Sequence, residues 1–382
     1  MAKPLDPIIQ QAKRAAHEVL LHNADGPHDH LPRTAGWGYP EPYTRDLLIS
    51  GLGILASGDP ALLASLLRVM ATLANNQSNL GHIPSLVDAP EDRGASDTTP
   101  LFLLLAGVLR KELHQPNYLA GPVAKALRWM AYQTTDDRVL VAQQPTSDWR
   151  DEHWVLGHGL FVNALVYGFL KVLGQRERAE ELQGALNGPD DSIAPGQSEE
   201  GLSVRGQPTY AMWSYKVLRD ERCDLLGNSL AIITGLASPE RAGQMVTWIE
   251  AQCETMRASG ELALELPPCF FPFVLPTESD WHPRYELYNL PGNYHNGGIW
   301  PFVCGFYVAA LVAAGRLDLA ETKLRALTDL VRPAREAKVA FGFNEWFRAQ
   351  NGQPSGQDWQ TWSASMYLYA AACVEKGEVL FF

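Results

Sequence analysis

Two kinds of helical segment alternate along the chain, and this alternation restricts its possible folds more than any other feature. One kind is amphipathic and charged, as at 239–257 and 317–331. The other kind is apolar on every side, as in LFLLLAGVL (101–109), GLFVNALVYGFL (159–170), LLGNSLAIITGLA (225–237) and WPFVCGFYVAALVAAG (300–315). A helix that is apolar all round must be buried all round. The chain therefore needs an inner layer and an outer layer of helices.

The apolar spacing predicts twelve helices, which form six pairs. Several have clear start signals, namely Asp59 before Pro60, Ser238 before Pro239, and Pro301 in a first turn. The predicted helices lie near 5–22, 44–57, 60–75, 98–113, 118–135, 156–174, 176–187, 223–236, 239–257, 298–315, 317–331 and 360–376. Segments 139–143 and 262–275 are predicted to be short strands or extended loops.

Six pairs of outer and inner helices predict an all-α fold, an (α/α)6 barrel, with residues 1–382 forming one catalytic domain. The alternative is an open α-solenoid of stacked hairpins, which usually has a regular period and short loops. Here the loops before the apolar helices are long and polar, which favours a closed ring.

Composition excludes several classes of function. The formal net charge is −12, and no run of Lys or Arg occurs, so we expect no nucleic-acid partner and no anionic membrane surface. No apolar run reaches the roughly 18 residues of a membrane span. The five cysteines lack CxxC spacing, and the first residues do not resemble a signal peptide, so we expect a cytoplasmic protein with reduced thiols and no metal site. No nucleotide loop, HExxH or GxSxG motif occurs, and no cofactor is expected.

Polar residues cluster immediately before the apolar helices. These clusters are WGYPEPYTRD (37–46), EDRGASDTTP (91–100), SDWRDEHW (147–154), RDERCD (219–224), YHNGGIWP (294–301) and FNEWFRAQNGQPSGQDWQTW (343–362). In a closed ring the N-termini of the inner helices open on one end, so the six loops should meet at one pocket. The alternative for any single cluster is helix capping and surface polarity.

The composition of the predicted pocket points to a small carbohydrate substrate. Flat aromatic faces can pack against sugar rings, and carboxylates, amides and guanidinium groups can pair with hydroxyls. The predicted substrate-binding residues are Tyr39, Tyr43, Arg45, Asp46, Asp97, Trp149, Glu152, His295, Asn296, Trp300, Trp346, Gln360 and Trp362.

Glycoside hydrolysis needs one carboxyl group as acid and a second that is ionised. Asp151 is predicted to be the acid, because nearby tryptophans and Glu152 should raise its pKa. Glu345, between aromatic residues on the far side of the ring, is predicted to be the base of an inverting reaction. Asp148 and Glu152 are the alternatives to Asp151.

Three other carboxylates have alternative interpretations. Asp46, beside Arg45, is predicted to be permanently ionised, either gripping sugar hydroxyls or forming a structural ion pair. Asp97 could instead cap its helix, and Asp224 is predicted to be a cap of the following helix.

Several segments resemble a clan of (α/α)6-barrel glycoside hydrolases. That clan includes the neutral/alkaline invertases, the glycogen-debranching-type glucosidases and the mannosylglycerate/glucosylglycerate hydrolases. The segments that carry the resemblance are YTRD (43–46), GHGLFVNALVY (157–167), LGNSLAIITGLASPE (226–240), YHNGGIWP (294–301) and QTWSASMYL (360–368).

The resemblance implies an acid at Asp151, in DWRDEHW, and a base at Glu345. It also implies a sugar site lined by Arg45, Asp46, Asp97, His295 and Asn296. The DWRDEHW loop lacks the basic pattern that invertases carry after the aspartate, so the substrate could be sucrose or another α-glucoside, such as a glucosyl-polyol or glucosylglycerate. Two other functions stay open: a sugar epimerase or isomerase with histidine bases (His295, His153), and a non-catalytic carbohydrate-binding toroid.

Overall fold

The computed structural model describes residues 6–134, 139–187 and 201–382, and the helices in this part occur in inner and outer pairs. The six outer helices are α1 (Pro7–Asn23), α3 (Pro60–Asn75), α5 (Ala120–Ala131), α7 (Arg176–Leu186), α9 (Pro239–Ser259) and α12 (Leu317–Leu330). The six inner helices are α2 (Thr44–Ser57), α4 (Thr98–Glu112), α6 (Leu160–Val172), α8 (Leu225–Thr234), α11 (Pro301–Ala313) and α13 (Thr361–Lys376). A single turn, α10 (Tyr285–Tyr288), lies outside this scheme.

The inner helices form a closed ring. Each packs against the next in the order α2, α4, α6, α8, α11 and α13, and α13 then packs against α2. Closure is tight: a Cβ added at Gly53 of α2 would lie 1.9 Å from the backbone oxygen of Ser365 in α13. The Ser365 hydroxyl also donates a 2.5 Å hydrogen bond to the Ser50 carbonyl. The predicted (α/α)6 barrel is confirmed, and the open solenoid is wrong.

The predicted starts of three helices are confirmed by their capping contacts. The Asp59 carboxylate accepts from the backbone N–H groups of Ala61 and Leu62, and the Ser238 hydroxyl accepts from the backbone of Arg241. Pro301 occupies the first turn of α11. These contacts satisfy N–H groups that a helix start leaves without a partner.

In the described ranges, seven short strands lie within the loops and link them to one another. They are β1 (His158–Gly159), β2 (Trp213–Tyr215), β3 (Leu218–Asp220), β4 (Cys223–Asp224), β5 (Phe270–Phe271), β6 (Trp346–Phe347) and β7 (Pro354–Ser355). Strands β1, β2 and β3 form one antiparallel sheet, while β4 pairs with β5 and β6 with β7.

The strands explain two differences from the predicted elements. Helix α6 begins at Leu160 and not near 156, because His158 and Gly159 pair with β2. Of the predicted 262–275 segment only β5 is a strand, and 139–143 makes isolated bridges. None of the helices in the described ranges combines the length and the apolar sequence that a membrane crossing requires.

Candidate active site

The six polar loops meet at one end of the barrel and are linked to one another by hydrogen bonds and ion pairs. Arg45 Nε donates to Asp97 Oδ2 at 2.5 Å, which joins the first loop to the second. Ser96 and Ser147 join the second to the third through their hydroxyls, 2.7 Å apart. Arg150 then approaches Asp224 of the fourth loop at 3.2 Å.

The remaining contacts complete the circle. The backbone N–H of Glu152 lies 3.4 Å from His295 Nδ1, which connects the third loop to the fifth. Ile299 and Phe347 exchange backbone hydrogen bonds of 2.8 Å between the fifth and the sixth. The backbone N–H of Gly36, next to the first loop, donates to the Trp359 carbonyl at 3.0 Å. Residues more than 300 positions apart therefore share one mouth.

Glu345, in the sixth loop, is buried and only 7 % exposed. The pKa of its carboxyl is raised to about 7, mainly by burial and in addition by the nearby Asp151 charge. Opposing this, the backbone N–H of Gln357 donates to Glu345 Oε2 at 3.2 Å, and the Gln360 side chain also hydrogen-bonds the carboxylate. A carboxyl with this pKa exchanges its proton near neutral pH, as a general base must.

Gly356 determines how Glu345 is held. It has a φ of +72°, and a Cβ added there would lie 2.2 Å from Glu345 Oε2. The backbone of 356–357 therefore packs directly against the carboxyl, and only glycine fits this position without displacing it.

Asp151 lies in the third loop, close to His295 of the fifth. Its side chain is 61 % exposed, and Oδ1 lies 4.0 Å from His295 Nε2. Partial desolvation raises its pKa, the Arg45 guanidinium lowers it, and Glu152 raises it again. Asp151 and Glu345 each affect the pKa of half-buried Tyr39, so both lie around one space.

The two alternatives to Asp151 are occupied by protein partners. Asp148 is fully buried, accepts from Arg150 Nη2 at 2.9 Å and from Gln143 Nε2 at 3.1 Å, and its pKa is lowered to about 2 despite burial. Glu152 forms a two-pronged ion pair with Arg284, with both N–O distances 2.5 Å. Asp151 is therefore the only carboxyl of residues 148–152 without such a partner.

Asp46 differs from its predicted state. The Arg45 guanidinium bonds Asp97, which is fully buried, and not Asp46. Burial of Asp46 raises its pKa to about 8, although the Arg45 charge opposes this. At neutral pH Asp46 is thus a protonated carboxyl that can donate a hydrogen bond, and the prediction of a permanently ionised group is wrong. The alternative in which Asp97 caps its helix is also wrong, since its carboxylate makes no cap hydrogen bond and instead anchors Arg45.

His295 is neutral and points a donor at the mouth. Burial and the charges of His153 and Arg150 hold its pKa well below the ordinary value. Because Nδ1 accepts from the Glu152 backbone, Nε2 carries the hydrogen and faces Asp151. His153 is buried, stacked on Tyr285 with ring centroids 5.2 Å apart. Neither histidine presents a free base to the mouth.

Several predicted sugar-binding residues lie beneath the mouth. Trp149 and Trp300 are at most 2 % exposed and pack edge to face 5.3 Å apart, and Trp362, 5 % exposed, stacks on Phe302 at 4.0 Å. Asn296 is fully buried, and its amide bonds the backbone of Val274 and Asn289. These four residues support the loops and expose almost no surface.

The other predicted residues lie at the mouth. Tyr39, Arg45 and Trp346 are half-buried, and Tyr43 is 39 % exposed at the N-terminus of α2. Gln360 is buried directly behind Glu345 and bonds it.

Three further residues belong to the site but are not among the residues predicted from the sequence. Tyr294 stacks on His295 with ring centroids 3.9 Å apart, and its pKa is raised by burial and then by the Glu345 charge. Arg284 neutralises Glu152, and Gly356 shapes the space for Glu345. Tyr294 could have been found as the first residue of the YHNGG motif, whereas Arg284 has no sequence signal.

Left-handed backbone conformations occur in the two loops that carry His295 and Glu345. Tyr294, Phe343 and Trp359 have φ values of +45°, +41° and +58°. Such conformations are costly for bulky residues and tend to persist where a site requires them. All three lie in the fifth and sixth loops, next to His295 and Glu345.

Solved structures of several glycosidases have the same fold as this chain. The fold is similar to that of the mannosylglycerate hydrolase of Thermus thermophilus, with a TM-score of 0.66, 15% sequence identity, and coverage of 94% of this chain and 99% of that chain. A bacterial glucoamylase in complex with acarbose gives a TM-score of 0.65 at 16% identity, over 99% of this chain and 58% of that one. The chain therefore has the (α/α)6-barrel fold found in these glycosidases.

Within these glycosidases, the second half of the chain is similar in sequence to the alkaline and neutral invertases. Residues 217–377 match the family model "Alkaline and neutral invertase". Cytosolic invertase 1 of Oryza sativa subsp. japonica is 31% identical over 159 residues, which cover 41% of this chain and 26% of that protein. The mitochondrial neutral/alkaline invertase 1 of the same plant is 32% identical over 164 residues, or 42% of this chain and 24% of that protein.

These comparisons confirm the resemblance to the invertases and related (α/α)6-barrel glycosidases. The chain matches about a quarter of the length of these curated relatives. The matched segment contains His295, Glu345 and Gln360, while Arg45 and Asp151 lie before it.

Proposed function

We propose that the protein is an inverting glycoside hydrolase that acts on a short α-glucoside, with Asp151 as general acid and Glu345 as general base. The observation that carries the proposal is the shared space between two carboxyls from opposite loops, both with raised pKa. Such a pair can protonate the leaving oxygen from one side and activate water from the other.

The surrounding groups fit the handling of a neutral sugar. Arg45, protonated Asp46 and the His295 N–H offer donors, while Tyr39 and Trp346 offer flat faces. Asp151 stays near Arg45 and the His295 donor, which can stabilise its carboxylate after it releases a proton. The proposed substrate is sucrose or a glucosyl-polyol, and residues 1–382 would act as one catalytic domain.

The geometry favours hydrolysis over epimerisation. An epimerase of the type considered would use histidine bases, yet His153 and His295 are both buried, and the His295 Nε2 that faces Asp151 carries a hydrogen. A cytoplasmic location remains a prediction, since one matched relative is named cytosolic and another mitochondrial.

The test compares two substrates whose leaving groups differ in their need for an acid. The fluoride ion departs from α-glucosyl fluoride with little need for protonation, whereas a sugar leaving group must be protonated by the acid. Asp151→Asn should reduce hydrolysis of saccharides by about 10²–10⁴-fold and that of the fluoride far less. Glu345→Gln should reduce both.

Glu254→Gln on exposed α9 is the matched control, and we expect wild-type rates from it. Near-normal rates for Glu345→Gln, or equal losses on both substrates for Asp151→Asn, would contradict the assigned roles. Saccharide binding without any hydrolysis by the wild type would favour the non-catalytic toroid.

A further inference from the structure

A second cavity lies beside the proposed active site and is not used by the mechanism. Its volume is about 1130 Å³, slightly above the usual range of small-molecule sites, and Asp151 and Glu345 are not among its lining residues. Its walls come from four separate parts of the chain, and each part contributes one tryptophan: Trp154, Trp213, Trp248 and Trp281.

Two of the four tryptophans, Trp154 and Trp281, are held in place by other rings. Trp154 stacks on His282 with centroids 4.6 Å apart and an interplanar angle of 12°, yet it remains 42 % exposed. Trp281 packs against Tyr285 at 5.5 Å. Trp213 and Trp248 are half-buried. Flat, partly exposed and fixed indole rings can pack against the apolar faces of sugar rings without being reordered.

The polar part of the cavity is acidic. Its lining has four carboxylate residues, Asp220, Glu221, Glu278 and Asp280, against two arginines. Arg222 bonds Asp220, Glu278 and Asp280 and so fixes their positions. Carboxylates accept hydrogen bonds from hydroxyls, whereas their excess repels a carboxylate or phosphate ligand. The cavity therefore suits a neutral polyhydroxyl ligand.

The cavity lies on the acid's side of the active site. Trp154 follows Asp151 by three residues, so their Cα atoms are at most about 11 Å apart. The intervening loop is bound to the opposite wall, because the Trp154 backbone donates to the Tyr285 hydroxyl at 2.8 Å and Glu152 pairs with Arg284. The general acid protonates the leaving group, which must therefore lie towards this loop.

We propose that this cavity binds a neutral sugar unit of the leaving group, beyond the bond that is cleaved. The assignment rests on the proposed hydrolase function and deepens it. It selects substrates with an uncharged, extended leaving group over those that end in a carboxylate, such as glucosylglycerate.

The test measures kcat/KM for α-glucosyl fluoride, maltose, maltotriose and glucosylglycerate. For the wild type we expect the trisaccharide to exceed the disaccharide, and glucosylglycerate to be the poorest saccharide substrate. Trp213→Ala should lower the maltotriose-to-maltose ratio roughly five- to tenfold, through KM, and leave hydrolysis of the fluoride unchanged. Trp281→Leu, a second variant in another wall, should act in the same direction.

Trp129→Ala is the matched control, since Trp129 is also half-buried but lies on the outer helix α5. Hydrolysis of the fluoride with an unchanged trisaccharide ratio in both folded variants would overturn the cavity assignment and leave the hydrolase standing. If the wild type hydrolyses none of these compounds and does not hydrolyse sucrose either, the proposed function itself is overturned.

Discussion

Replacing Gln360 by Met should shift the pH dependence of the proposed base in a predictable direction. The Gln360 side chain hydrogen-bonds Glu345 and favours its ionised form, while the Gln357 N–H would remain in the variant. A hydrogen bond to a charged group contributes about 1.5–3 kcal/mol. Because the Gln357 donor stays, we take the lower end, about 1.5 kcal/mol, which corresponds to about one pKa unit.

The sign follows from the role of Glu345. As a base it must be ionised, so kcat/KM falls as the pH drops through its pKa of about 7. In Gln360→Met that midpoint should move up to about pH 8, which leaves about one tenth of the enzyme ionised at pH 7, against about half in the wild type. The expected rate loss is about fivefold at pH 7 and should vanish above about pH 9.

The assay is a pH profile of kcat/KM with α-glucosyl fluoride. Because this substrate needs little protonation, the ionisation of Asp151 should have little effect on the profile. Gln350→Met, at an exposed position of the same loop, is the matched control. Stability should change little, because Gln360 Oε1 is buried with no hydrogen-bond partner among the described residues. An acid limb at the same pH in an active, folded Gln360→Met variant would refute the assignment of Glu345 as base.

Three further predictions concern the ring, the ion pair below the site, and Asp46. Gly53→Ala should reduce the free energy of unfolding in urea by at least about 2 kcal/mol, because its Cβ would collide with the backbone of α13, whereas Gly243→Ala, in open space on α9, should be neutral or stabilising. Asp148→Asn should cost about 3 kcal/mol by the same measurement, because it removes a partner of buried Arg150, and the wild-type contribution should persist above pH 4 and fade towards pH 2. Asp46→Asn should keep saccharide hydrolysis at pH 6 within about fivefold of the wild type, because the protonated carboxyl and the amide both donate, whereas Asp46→Ala should lose about tenfold.

Each of these has a contradicting result. A neutral Gly53→Ala would mean that α2 and α13 are not in contact at closure. An unchanged urea midpoint for Asp148→Asn would remove the buried ion pair from the account. Equal losses in the two Asp46 variants would show that the residue acts as a carboxylate.

The ring itself could be predicted because it follows from two local patterns. Helices such as α11 are apolar on every face, and only an inner layer can bury them. Residues such as Asp59 and Ser238 mark where outer helices begin. The convergence of the loops then follows from ring geometry alone, which is why Asp151 and Glu345 could be paired across nearly 200 residues.

Side-chain directions within the loops could not be predicted, because loops have no repeating period. Trp149 and Trp154 lie five residues apart, yet the first is buried under the site and the second is 42 % exposed in the neighbouring cavity. The predicted ion-pair partner of Arg45 was likewise wrong. The sequence offers Asp46 as an adjacent partner, but in the structure Arg45 pairs with Asp97, 52 residues further along the chain. The protonation of Asp46 depends on burial, which only the three-dimensional structure reveals.

The most direct test of the central claim is the configuration of the sugar that is released first. Hydrolysis of α-glucosyl fluoride, followed by proton NMR before mutarotation, reports this configuration within the first turnovers. Two carboxyls acting from opposite sides of the sugar, with water activated by Glu345, predict β-glucose as the initial product. Initial release of α-glucose would contradict the account, because it would require a covalent intermediate and a different role for Glu345.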